Sequence, residues 1–273
     1  MKLTRSVCAL ALLGTASFAN ASMINVGGVT WDPSYQRPAS PPFISDETDL
    51  IQKVQFSQWF VDAADAGTTD TSKVISPDAV TAGDELQAVG SMTYFNGLTD
   101  PEVFPGPIGF CLGCEVTFRS TGLLADGLGG FTTAVGGAFL EFFVETGADV
   151  DQMYSGTGTP WLTLAVDEVT FSARDSTAGN EYRGGNIQLA LSAVGGPAAQ
   201  YMDTNTISNS NGGFSDIFYN ADAIFNMQNG NYFASGTADL VGDTIPEPSA
   251  LALFMLGMLA LLAQYSPSRL KRR

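Results

Sequence analysis

Apolar and polar residues alternate along most of this chain. In "GNIQLALSAVGG", Ile187, Leu189 and Leu191 fall on one face while Asn186, Gln188 and Ser192 fall on the other. In "EVTFRSTG", Val116 and Phe118 oppose Glu115, Thr117 and Arg119. This period of two predicts half-buried β-strands. "WLTLAVDEVTFSA" alternates through Leu162, Leu164 and Val166, then slips by one to Val169 and Phe171. A one-residue slip moves side chains to the other face, so a bulge or tight turn is expected near Asp167 and Glu168. Further strands are expected over residues 54–61, 86–95, 138–145, 217–225 and 232–241.

Glycine pairs punctuate these runs at Gly27-Gly28, Gly129-Gly130, Gly136-Gly137, Gly184-Gly185, Gly195-Gly196 and Gly212-Gly213. No long amphipathic helix competes with the strands, and no repeat of fixed period is visible. The pattern predicts an all-β fold, an antiparallel sandwich or related architecture. Residues 36–48 read as an irregular arm and 203–213 as an exposed loop. Neither break divides the body, so residues 22–244 are expected to form one domain.

Both ends depart from this pattern. Lys2 and Arg5 precede an apolar stretch from Val7 to Phe18, and Ala19-Asn20-Ala21 fits a small-x-small cleavage site. That is the form of a secretory signal over residues 1–21, with Ser22 as the first mature residue; an uncleaved anchor is the alternative. At the other end, Ala250 to Ala263 is apolar throughout. As a helix it reaches about 20 Å, short of the roughly 30 Å of a bilayer core, so it spans only with help from its flanks. Arg269, Lys271, Arg272 and Arg273 would hold its end in the cytoplasm, leaving the body outside.

Residues 245–273 place Pro246-Glu247-Pro248, a short hydrophobic segment and terminal basic residues in that order. This resembles the PEP-CTERM sorting signal. The resemblance implies recognition by an exosortase, processing at or near the Pro-Glu-Pro motif, transient residence in the inner membrane, and release to the cell surface or matrix. A permanent tail anchor is the alternative. The segments "INVGGVTWDPSY", "DLIQKVQFSQWF", "GDELQAVGSMTYFNG" and "FCLGCEVTFRSTG" occur in that order and are similar to the flocculation-associated PEP-CTERM proteins. That likeness implies a role in cell aggregation within exopolysaccharide, and transfers no catalytic residue.

Charge narrows the partners. Outside the signal and the tail, six basic side chains face 27 acidic ones, a formal −21. Such a body repels phosphate backbones, so nucleic acid is not an expected partner. The chain has no histidine, which removes Ser-His-Asp and Cys-His chemistry and histidine-ligated metals. No cofactor motif is present. Glu115, Glu141 and Asp167 are strand-borne carboxylates that a glycoside hydrolase could use, though solvated outer-face positions explain them more simply. Asp149, Asp151 and the stretch from Asp203 to Asp216 offer oxygens to calcium without matching a known loop, so no metal is expected.

Cys111 and Cys114 are the only cysteines of the mature body. In an exported protein they suit a small disulfide loop better than a redox dithiol. Trp59 and Trp161 belong to alternating runs and are expected in the core. Trp31 stands before a turn and stays open between core and sugar contact. The expectation is therefore a non-catalytic surface or matrix protein. Its rivals are an exopolysaccharide-binding module, a secreted glycoside hydrolase and a tail-anchored envelope protein.

Overall fold

A computed structural model describes residues 23–35, 50–99, 109–146, 158–177 and 179–245. The strands are β1 (Ile24–Val26), β2 (Val29–Trp31), β3 (Leu50–Val61), β4 (Val74–Ile75), β5 (Glu85–Phe95), β6 (Leu98–Thr99), β7 (Cys114–Ala125) and β8 (Phe131–Thr133). They continue as β9 (Phe139–Thr146), β10 (Thr159–Ala173), β11 (Gly184–Gly195), β12 (Ile207–Ser208), β13 (Phe214–Ser215), β14 (Ile217–Ile224), β15 (Asn226–Gln228) and β16 (Asn231–Gly242). The all-β, antiparallel expectation is met.

Eight long strands run up and down in chain order, β3-β5-β7-β9-β10-β11-β14-β16. The last, β16, also pairs antiparallel with β3, from Ala234 opposite Gln58 to Gly242 opposite Leu50. The sheet thus closes on itself, and the two layers of a sandwich become two walls of one barrel. Closure removes the open edges that would otherwise invite pairing with another chain.

Strand alternation divides the barrel into an interior and an exterior. Val54, Phe56, Met92, Phe118, Phe142, Leu164, Leu189, Ala221 and Leu240 are among the buried residues of the central core. Lys53, Arg119 and Asp239, out of phase with them, are not buried. The expected slip is a register shift between Val166 and Glu168 on β10. Asp167 takes up the extra position, and Val169 and Phe171 return to pack on the core.

Each end of the barrel is filled differently. At one end the β1–β2 hairpin turns at Gly27 and Gly28, both with positive φ, and lies across the opening. Thr30 N donates to Phe110 O (2.7 Å), and Trp161 Nε1 donates to Val26 O (2.9 Å). Trp31 stacks on Phe95 at 5.3 Å and meets Trp161 and Tyr201 edge to face. At the other end Phe60, Phe131, Phe171, Tyr182 and Phe225 form a second aromatic group. There Tyr182 Oη accepts from Gly127 N and Gly129 N, and its own proton reaches Asp126 Oδ1 (3.1 Å) or Gly130 O (3.0 Å).

Candidate functional site

The signal residues Ala19, Ala21 and Ser22 lie outside the described residues, as do Pro246, Glu247, Pro248, Arg269, Lys271, Arg272 and Arg273. So do the arm at 36–48, Asp149 and Asp151. Among the described residues no helix is long and apolar enough to cross a membrane.

Trp31 is not a sugar contact. It is 0% exposed, enclosed by Phe95, Trp161 and Tyr201, and presents no ring face to solvent. The reason is tertiary: the hairpin that carries it plugs the barrel. Trp59 and Trp161 are buried too, Trp161 in the central core and Trp59 in a small outer cluster with Val61 and Val89. Cys111 and Cys114 are joined by a disulfide with Cα atoms 5.2 Å apart, in the turn that leads into β7.

The strand-borne carboxylates are engaged rather than free in solvent. Glu115 is buried and stands opposite Glu145, itself buried and accepting from Thr117 Oγ1 (2.7 Å). Glu141 accepts from Arg119 Nε (2.7 Å), whose guanidinium lies over the Phe143 ring. Asp167 Oδ2 accepts from Ser192 Oγ and Ser215 Oγ, each at 2.6 Å. Neither Glu115 nor Glu145 lines the two interior cavities or the outer hollow described next.

The barrel interior, the usual ligand site of such folds, is nearly full. Two cavities of about 20 Å³ each meet at Gln58, Leu86 and Ile187. Each has room for about one water molecule. Phe118, Leu123 and Leu140 line the deeper one together with Ser120 and Tyr219. Burial pushes the Tyr219 phenol far up, so it stays neutral.

The roomier hollow lies outside, beneath the loop from 203 to 216. Its volume is about 160 Å³. Two cross-strand rows make the floor. Glu168, Ala190 and Phe218 are opposite one another across β10, β11 and β14, and Thr170, Gln188 and Asn220 form the next row. Ala190 is small where its neighbours are large, and this opens the floor. Phe218 is partly exposed on the polar side of β14.

Three carboxylates staple the loop above this floor. Asp216 is buried and accepts from Thr204 N (2.8 Å), Asn205 N (2.6 Å) and Ala193 N (2.7 Å). Asp167 holds Ser215, as above. Glu168 accepts from Ser210 N (2.8 Å) and from Ser210 Oγ. These Ser210 hydroxyl and amide bonds hold the Glu168 carboxyl below the usual range. Within the loop β12 and β13 pair as a short hairpin, and Asn209 Oδ1 accepts from Gly213 N (2.8 Å). Asp216 gives its oxygens to backbone amides, and Asp203 Oδ1 accepts from Asn205 Nδ2. Among the described residues no group of three or more ligating side chains converges.

Sequence reasoning named neither Phe218 nor Gln188 as a site residue. A signal was present, because Phe218 is the aromatic that falls in phase with Asn220 and Asp222 rather than with Ile217, Tyr219 and Ala221.

No protein-family model matches the chain, and no curated relative matches it. Among solved structures, that of the pterocarpan synthase dirigent protein is similar over 77% of this chain and 99% of its own, with a TM-score of 0.25 and 11% identity. A similarity that slight transfers no chemistry to this chain.

Proposed function

We propose that this is an exported, non-catalytic protein of the cell surface or extracellular matrix, which supports floc or biofilm cohesion together with exopolysaccharide. The observation that carries the reading is the order of parts: a secretory signal, an acidic β body, then Pro246-Glu247-Pro248, an apolar segment and a basic end. The signal exports the chain, the tail holds it briefly in the inner membrane, and an exosortase processes it for release.

The body supports this reading. Its interior is filled by side chains, Asp126, Asp167, Glu168 and Asp216 hold loops, and Glu141 pairs with Arg119. A chain without histidine has no imidazole base, which favours a scaffold over a Ser-His-Asp or Cys-His hydrolase.

Intact-mass analysis of cell-wash, matrix and membrane fractions tests it. The expected species begins at Ser22, ends near Pro246 and is found outside the membrane. A species that retains Arg273 and stays in the inner membrane would contradict it.

A further inference from the structure

We propose that the hollow beneath the 203–216 loop is a subsite for one ring of a neutral polysaccharide. This rests on the matrix role above and names the surface that would meet the polymer. A pyranose ring offers an apolar C–H face and a rim of hydroxyls. A site for it needs an aromatic platform beside groups that both donate and accept hydrogen bonds.

The hollow has both. Phe218 lies on the outer face of β14 and supplies the platform, with Ala190 beside it leaving room for the ring. Gln188, Thr170 and Ser208 line the same space, and among the described residues their side chains make no hydrogen bond. An amide and two hydroxyls therefore keep donors and acceptors free for a sugar rim. Glu168, ionised and fixed by Ser210, adds an acceptor at the wall.

Size and charge narrow the ligand. At about 160 Å³ the hollow is smaller than the pockets of roughly 300 Å³ and more that enclose drug-sized ligands. It suits a single ring of a chain that continues past it. The −21 body and the Glu168 carboxylate disfavour uronic, sulfated or phosphorylated sugars. Contact through one ring is weak by itself. Adhesion then comes from many copies along one polymer, each binding event raising the local concentration for the next.

The test titrates the full-length chain, held in a detergent without sugar headgroups, with cellohexaose, maltohexaose and mannohexaose, and with hexagalacturonate as the anionic counterpart. At least one neutral hexaose should saturate with a dissociation constant on the order of a millimolar, and hexagalacturonate should not bind. Phe218→Ala should weaken that binding about tenfold or more, and Phe218→Tyr should keep it. Gln188→Ala, at a partly exposed position, gives the same readout should Phe218→Ala disturb the fold. Absence of saturable binding for all three neutral probes overturns the subsite, as does unchanged affinity in Gln188→Ala together with a folded Phe218→Ala. Failure in a protein that mass analysis finds in the matrix removes the subsite and leaves the matrix role. Binding by a protein confined to the inner membrane keeps the subsite and removes that role.

Discussion

The inside of the barrel and the hollow on its outer wall are built from the same strands and differ in almost every other respect. Inside, Leu86, Ile187, Phe118 and Leu189 close around two spaces of about 20 Å³ each. Outside, a few residues away along β11 and β14, Ala190, Gln188 and Phe218 border a space of about 160 Å³ under a stapled loop. Strand alternation accounts for the difference. Leu189 and Tyr219 point into the core, while Gln188 and Phe218 point out from neighbouring positions. A closed eight-stranded barrel with bulky inward residues fills its own centre, which moves any binding surface to the wall and its loops. The lesson is that a barrel can act as a rigid mount rather than a container.

Three perturbations bear on this contrast, from the largest effect to the smallest. Trp31→Ala empties a fully buried position at the plugged end, so unfolding free energy in urea should fall by about 3–5 kcal/mol. Loss of saccharide binding without loss of stability would instead return Trp31 to a contact role. Gln52 is buried inside the barrel, and among the described residues neither atom of its amide has a partner. Gln52→Leu should therefore raise stability, by about 1 kcal/mol, and leave saccharide binding unchanged. If binding is lost, the interior is functional after all.

The smallest effect is that of acid. Glu168 is held low by Ser210. Burial would raise Asp126, but the amides of Leu128 and Gly130 and the Tyr182 hydroxyl outweigh it and hold that carboxyl low as well. A carboxylate whose folded value lies below its unfolded one contributes fully above the unfolded value and loses that contribution as pH falls through the folded one. Both loops should hold at neutral pH and loosen below about pH 4. Amide exchange at Leu128, Gly130 and Ser210 measures this. Protection factors, with the intrinsic pH dependence of exchange divided out, that stay flat down to pH 2 would show that the carboxylates do not hold the loops.

Much of the fold was readable from the alternation of residues. The strands fall where the period of two placed them, and the phase slip after Val166 is the bulge at Asp167. Barrel closure was not readable, because the pairing of β16 with β3 joins segments almost 200 residues apart and leaves no local trace. The burial of Trp31 was missed for a related reason. Its three-residue strand is too short to show alternation, and its surroundings come from Phe95, Trp161 and Tyr201. Glu115 alternates as an outer-face residue should and is nonetheless buried, since alternation reports which side a residue faces and not what covers that side. Phe218 was half readable, as an aromatic on a polar face. The hollow around it required Ala190 and the loop held by Asp167, Glu168 and Asp216, which only the folded chain assembles.

The central claim, that this barrel works through its outer wall, is tested most directly by hydrogen exchange on the protein with and without a soluble neutral polysaccharide that it binds. The account predicts slower exchange confined to residues 207–218 and the facing part of β11. The second aromatic group, around Phe131 and Tyr182, should be unchanged. Protection centred on residues 126–131 and 224–231, at the mouth of the interior, would contradict it.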